Sequence, residues 1–298
     1  MIKDPDIPLV TVGIPTYNRP QGLERTLKCI LGQTYPHLEI IISDNCSTDP
    51  AVLPILEKYA LLDKRVTFYI QEKNLSIVPN FQFLLDNASG EYFMWAADDD
   101  FWDTNFIEVC VNGMLAHNDV VLCMTDLKIV GANGTETSGK LNRGFMQNGL
   151  LVRNFNFVKS TGETKYFFCG LYKTALVKNI PFDNSWGGDH LFIFGALSKG
   201  KFLYLPGQSD FYYYRGGSST NMDRVRKAFN IKSKYYFFEA YILKYTTYQF
   251  TFRHLSFFEK IALFVTNWFG LICNEDFILY YIFIKKPVKT LFKNLKRK

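Results

Sequence analysis

The sequence predicts an α/β fold: a Rossmann-like, mostly parallel sheet flanked by helices, followed by a helical C-terminal extension that is aromatic and basic. Three observations predict it. Short β-rich runs alternate with amphipathic helical runs four times in about the first hundred residues, the pattern of a parallel sheet with right-handed crossovers. The second strand run is nearly all apolar, as a strand covered on both faces is. Finally, charge divides unevenly along the chain: residues 1–220 carry a net −4 and residues 221–298 a net +10.

The elements follow in order. Leu9 to Ile14 is a β-rich run that stops at Pro15, and Leu23, Leu27, Ile30 and Leu31 then share one helical face. Leu38 to Ser43 is a second strand. Asp49-Pro50 reads as an N-cap followed by proline at the first helical position, opening a helix to about Tyr59. Val66 to Ile70 is a third strand. Ile77, Phe81, Leu84, Leu85 and Ala88 line an amphipathic helix that Ser89-Gly90 closes, and Tyr92 to Ala97 is a fourth strand. A helix from Thr104 to Ala116 precedes strands at Val120–Thr125 and Lys128–Val130. Residues 131–164, rich in Gly, Asn, Thr and Ser, read as loops with short elements. Helix signals return at Asp189–Ser198, a strand at Phe202–Leu205, and from about Arg224 the chain reads as helical and strongly aromatic.

With 298 residues, 48% of them apolar and 17% aromatic, the chain can build a sizeable core, and long disorder is excluded. Residues 1–220 are expected to form one domain and residues 221–298 a C-terminal helical region. The six cysteines form no CxxC pair and have no His-rich company, which argues against zinc and against a disulfide framework and for reduced thiols in the cytosol. Met1 to Asp6 lacks the apolar run of a signal peptide. The longest apolar stretch, the thirteen residues Ile261 to Cys273, is too short to span a bilayer.

Ligands of such sheets bind outside the carboxyl ends of the strands. The first strand ends in Pro15-Thr16-Tyr17-Asn18, the second in Ser43-Asp44-Asn45-Cys46-Ser47-Thr48-Asp49, the fourth in Asp98-Asp99-Asp100. Three adjacent carboxylates next to an apolar strand repel one another unless a cation compensates. Hard oxygen ligands of this kind suit Mg²⁺ or Mn²⁺, with one or two carboxylates and substrate phosphates completing the shell. A solvated acidic loop is the plain alternative. A carboxylate at the position of Asp44 can accept the imide N–H of a uracil ring, with Thr16 and Tyr17 supporting base and ribose. Turn chemistry is the plain alternative for Asp44 and Asn45.

Taken together, Val12-Gly13-Ile14-Pro15-Thr16-Tyr17-Asn18-Arg19, Gln33-Thr34-Tyr35, Glu39 to Asp49 and the aspartates with Trp102 resemble family 2 glycosyltransferases of the GT-A fold. The resemblance covers about residues 8–125 and, more weakly, 165–215. It implies a nucleotide-sugar donor held by Pro15, Thr16, Tyr17, Asn18 and Asp44, with Asp44 pointing to UDP among the UDP, dTDP and GDP donors of the family. It implies a DxD-type motif in which Asp98 and Asp99 lie toward the nucleotide and Asp100 binds the metal, although Asp98-Asp99 and Asp99-Asp100 also fit as the working pair. It implies inversion, with Asp189 in Trp186-Gly187-Gly188-Asp189-His190 as the general base that deprotonates the acceptor hydroxyl. Asp189 also stands where a helix N-cap would. The family's processive members carry a QxxRW signature that is absent here, so a single sugar is the expected transfer, to a glycan or lipid-linked acceptor of a surface polysaccharide.

Arg215, in Arg215-Gly216-Gly217-Ser218-Ser219, is placed to pair with the diphosphate if that loop closes; an ordinary surface turn is the alternative. Seven of residues 285–298 are basic and none is acidic, and Phe257, Phe258, Phe264, Trp268, Phe269, Tyr280, Tyr281 and Phe283 precede them. Rings with basic flanks suit the membrane interface, so the enzyme is expected in the cytoplasm, peripheral at the inner face of the cell membrane. A homo-oligomer interface is compatible with the same segment. No nucleic-acid-binding motif is present. A nucleotidyltransferase is disfavoured because Pro-Thr-Tyr-Asn-Arg stands where its Gly-rich loop belongs, and a non-catalytic nucleotide-sugar-binding assembly subunit is disfavoured by the intact Asp98, Asp100 and Asp189.

Overall fold

The computed structural model describes residues 7–131, 133–139, 149–160, 165–185, 187–214 and 243–274, with positions 226, 229, 231 and 232. The first half is four βα units: β1 (Val10–Thr16), α1 (Pro20–Leu31), β2 (Leu38–Asp44), α2 (Val52–Leu62), β3 (Val66–Ile70), α3 (Ile77–Asn87), β4 (Tyr92–Trp95), then β5 (Phe101–Trp102) and α4 (Phe106–Ala116). The second half adds β6 (Val120–Val130), β7 (Glu136–Ser138), α5 (Leu150–Lys159), β8 (Leu171–Lys173), α6 (Thr174–Val177), α7 (Gly188–Leu197), β9 (Lys201–Tyr214), α8 (Lys244–Thr247) and α9 (Phe257–Cys273). Among the described residues the strands form one sheet in the order β3-β2-β1-β4-β8-β6-β9-β5, with β7 paired to β6. β1 to β4 are mutually parallel, whereas β8 runs antiparallel between β4 and β6.

β1 does not stop at Pro15; it runs through it to Thr16. The carbonyl of Gly13 accepts from the Ala96 N–H on the β4 side, and that of Thr16 accepts from Asn45 on the β2 side. Backbone groups alternate sides along a strand, so Pro15 faces β4, whose pairing with β1 has already ended at Gly13–Trp95. No ladder bond is asked of its missing N–H. α2 begins at Val52 and not at Pro50, because Asp49 closes a preceding turn by accepting from the Ala51 N–H at 2.9 Å.

The segments expected as two strands, 120–125 and 128–130, are one strand, β6. Asp126 interrupts the apolar run, yet its carboxylate accepts from the Tyr204 hydroxyl and from the Gly207 N–H. Those bonds hold a bulge in β9, where the register passes from Thr125–Leu205 to Asp126–Asp210. Gly207, at φ 72°, makes that corner. β9 thus runs well past Leu205, to Tyr214, and delivers its end to the carboxyl rim. Residues 131–164, expected as loops, hold β7 and the ten-residue helix α5. The helical stripe of α5 is disguised because two of its buried residues are polar: Arg153 Nε donates to the Leu197 carbonyl at 2.8 Å and Asn154 bonds back to Leu150.

α9 starts at a capping box, in which Ser256 Oγ accepts from the Glu259 N–H and the Glu259 carboxylate accepts from the Ser256 N–H. It lies on α5, with Gly270 against Val158 and the Asn274 amide donating to the Val158 carbonyl at 2.7 Å. Among the described residues no helix is long and apolar enough to cross a membrane.

Candidate active site

Three loops at the carboxyl edge of β1, β2 and β3 are knitted together by amide side chains. Asn18 Oδ1 accepts from the N–H groups of Thr48 (2.7 Å) and Asp49 (2.9 Å), tying the first loop to the second. Asn45 accepts from the Leu75 N–H at 2.7 Å and donates to the Ser76 carbonyl at 3.1 Å, tying the second loop to the third. Among the described residues, left-handed backbone at a non-glycine occurs at Asn18, Cys46 and Ser76, one on each of these loops. Each such residue costs on the order of 1–3 kcal/mol and persists where the surroundings over-determine it, which is a mark of functional rims.

Asp44 is buried at the tip of β2, and its carboxylate accepts from Ser47 Oγ at 2.5 Å and the Ser47 N–H at 3.2 Å. The turn chemistry read from the sequence is therefore present, for Asp44 and for Asn45. A carboxylate offers about four acceptor positions, so Asp44 keeps capacity for a further donor. Tyr17 leaves its ring largely open beside it, 43% exposed, while Thr16 is buried and donates to Asp98 Oδ2 at 3.1 Å.

The three aspartates are treated unequally. Arg19 reaches Asp98 at 2.8 Å and Asp99 at 3.1 Å. Asp100 forms no ion pair among the described residues; it accepts only from the Tyr214 N–H at 3.4 Å and, distantly, from the Cys169 thiol at 3.8 Å. Burial pushes the Asp98 carboxyl up to about 7, against the pull of Arg19. Burial, then the neighbouring Asp99, holds Asp100 well above the usual carboxylate range. The cation demanded by the acidic cluster is thus partly supplied by the chain itself, a role for Arg19 that the sequence did not disclose. Gly22 completes the arrangement: a Cβ there would stand 2.2 Å from the Asp98 carbonyl, so only glycine lets α1 lie against the aspartate loop.

The donor set fits a divalent ion in one way. No three metal-ligating side chains converge among the described residues, but a buried carboxylate lacking a cation matches a hard ion that takes one protein oxygen and fills its shell with phosphate and water oxygens.

Asp189 is not an N-cap. Gly187 holds that place at φ 87°, and Asp189 sits in the first turn of α7, partly open. The close approach allowed by the glycines is internal, since a Cβ on Gly188 would meet the Asp183 carbonyl at 2.1 Å. One turn further, Phe192 packs edge-on to Trp95 at 5.0 Å, fixing α7 against β4. The loop ahead of α7 is held by α8 and the turn after it: Lys244 pairs with Asp183 and donates to Ser185 Oγ at 2.9 Å, and the Tyr248 hydroxyl donates to the Pro181 carbonyl. His190 is buried on α7. Arg215 lies outside the described residues, as do the basic residues 285–298.

A parallel β3-β2-β1-β4 half, a strained carboxyl rim and an aspartate cluster at its centre define a Rossmann-like α/β protein with its candidate site at the carboxyl ends of the strands. Residues 11–180 match the glycosyl transferase family 2 model, more than half of the chain, and the chain belongs to that family. Bacillus subtilis TuaG, named for teichuronic acid biosynthesis, is 31% identical over 128 residues, 43% of this chain and 50% of TuaG. The chain therefore spans half the length of that relative. The GalNAc(5)-diNAcBac-PP-undecaprenol beta-1,3-glucosyltransferase of Campylobacter jejuni is 26% identical over 238 residues, 76% of this chain and 71% of the relative. The solved structure of Staphylococcus aureus TarS 1-349 with UDP-GlcNAc superposes with a TM-score of 0.58 at 20% identity, covering 89% of this chain and 81% of that one. At that identity the likeness shows the fold: a GT-A-type, mostly parallel α/β sheet with flanking helices.

Proposed function

We propose that the chain is an inverting, non-processive glycosyltransferase that moves one sugar from a nucleotide sugar, UDP-linked, to a glycan or lipid-linked acceptor in surface polysaccharide synthesis. The observation that carries this reading is the unequal treatment of Asp98, Asp99 and Asp100. Two carboxylates are already paired with Arg19, and the third is buried on the rim without a cation. The uracil and ribose lie on the Tyr17 side, with the Asp44 carboxylate accepting the imide N–H and Pro15, Thr16 and Asn18 forming the wall. Asp98 and Asp99 face the ribose and diphosphate, and Arg215 pairs with the diphosphate. A Mg²⁺ or Mn²⁺ ion on Asp100, when bound, neutralises charge on the departing diphosphate. Asp189 takes the proton of the acceptor hydroxyl as that oxygen attacks the anomeric carbon from the face opposite the leaving group.

Residues 1–220 form the catalytic domain in this reading, and residues 221–298 the membrane-associating or oligomerising region at the inner face of the membrane. Support for the acceptor class comes from the Campylobacter jejuni relative, whose name is that of a glucosyltransferase acting on an undecaprenol-linked saccharide, and support for the donor from the fold shared with a UDP-GlcNAc complex.

Calorimetric titration of UDP in the presence of Mn²⁺ or Mg²⁺ tests the reading. Metal-dependent binding that weakens more than about tenfold, 1.4 kcal/mol, in Asp100→Ala is the expected result. Binding of dTDP or GDP in place of UDP would reassign the base, and binding of no nucleotide would overturn the proposal.

A further inference from the structure

α9 is apolar on the side that faces away from the protein. Its inner face, Leu263, Asn267, Gly270 and Leu271, is buried, the last two turns against α5. At about 100° per residue, Phe257, Phe258, Ile261, Val265 and Phe269 fall in one arc of about 120° opposite to it, while Trp268, in the same arc, is half-buried and packs against the core. Among them Phe258 is 83% exposed, Phe257 68% and Phe269 60%, with Val265 and Ile261 also open. The polar side chains Glu259, Lys260 and Thr266 lie outside that arc. A helix that carries apolar residues on two opposite faces normally buries both. At the start of the arc, a groove of about 500 Å³ opens between Phe258, Glu259 and Ala262 of α9 and the exposed Leu151 and Val152 of α5, with the Glu259 carboxylate tied back to Ser256 by the capping box.

The capping box fixes where the helix begins, and seventeen residues at about 1.5 Å each give a rod of about 25 Å, too short to cross a bilayer and long enough to lie along its surface. The charge around it decides the occupant. Arg253 stands exposed before the first turn, and the chain that continues from α9, residues 275–298, carries seven basic residues, all of them in 285–298, against Glu275 and Asp276, a net of +5. Two copies meeting through this face would bring two such segments together; an anionic surface would neutralise both.

From this we infer that the outer face of α9, with the groove beside α5, is a docking face for an anionic lipid surface, lying in the interface with the three phenylalanines inserted. The inference rests on the membrane-peripheral part of the functional reading and names the face that part would use. Because α5 is bonded to the end of α7 through Arg153 and Leu197, and α7 carries Asp189 in its first turn about 12 Å from Leu197 along the helix, docking would set the active site within a few nanometres of a lipid-linked acceptor.

Sedimentation of the full chain with vesicles of phosphatidylglycerol and phosphatidylcholine, against phosphatidylcholine alone, provides the test. Wild type should bind the anionic vesicles, and Phe257→Ser/Phe258→Ser/Phe269→Ser should lose at least about tenfold in partitioning, since each buried ring contributes a sizeable transfer free energy. These side chains are exposed, so the melting temperature and UDP binding should stay unchanged. As a second measurement, Phe258→Trp should show fluorescence quenched by bromine-labelled acyl chains. Equal binding of the triple variant, or an unquenched Trp on bound protein, would overturn the docking face while leaving membrane attachment standing. A lipid-free dimer that the triple variant dissolves would assign the face to a second copy. Loss of vesicle binding with sugar transfer intact would separate this inference from the catalytic one.

Discussion

The carboxyl rim and the outer face of α9 are opposites in how they are finished. On the rim almost every polar group has a partner, three residues are held in left-handed backbone, and amide side chains lock the loops to one another. On α9 the exposed arc offers rings and branched chains that no hydrogen bond can fix in place. A rim built by directional bonds is arranged before its ligand arrives, and such sites fix geometry. A surface built by apolar area alone fixes position only when something covers it. If the proposed function and docking face both hold, the two ends of the transfer are handled by different physics: a donor held in a preformed site, an acceptor approached by surface attachment.

The sharpest break of that comparison is at Asp189. Asp189→Asn keeps shape and removes basicity, and transfer should fall by about 10²–10⁴-fold in kcat while UDP affinity stays within error. A matching loss of UDP affinity would move Asp189 from the reacting hydroxyl to the donor site. A smaller effect comes from the rim's preorganisation. Asn18→Ala removes two accepted N–H bonds and keeps a side chain at φ 54°, so unfolding free energy should drop by about 1–3 kcal/mol. Asn18→Gly relieves the backbone and should recover part of it. Equal losses in both would show that the hydrogen bonds alone set the loop. The smallest effect is a pH slope. The folded Asp98 carboxyl lies at about 7, above its unfolded value, so the folded chain holds a proton that the unfolded chain has released. Stability of the metal-free protein should therefore fall as pH rises through that window, by about 1.4 kcal/mol between pH 6 and 8. Thermal melts in chelator would show it, and Asp98→Asn should flatten the slope.

The four βα units were legible because each strand is a short apolar run and each helix a stripe, bounded by turn residues. The second half of the chain was less so, for identifiable reasons. β8 is three residues long and β5 two, below any period. α5 turns Arg153 and Asn154 inward, which erases its apolar stripe. β9 is broken on paper by Pro206 and Gly207 and continuous in space because Asp126 fastens the bulge. At the site, the strand-end rule singled out Thr16, Asp44 and the aspartates. The Arg19 pairs were not legible, since they join residues 79 and 80 positions apart and depend on α1 folding back over Gly22.

The tie between Asp183 and Lys244 carries a consequence for anyone recombining such chains. A chimera that joined residues 1–220 to the tail of a relative would keep the loop before α7 anchored only if the incoming tail brought a cation to the place of Lys244 and a hydroxyl to that of Tyr248. Exchanging the tail without the loop it braces should therefore loosen the segment ahead of Asp189.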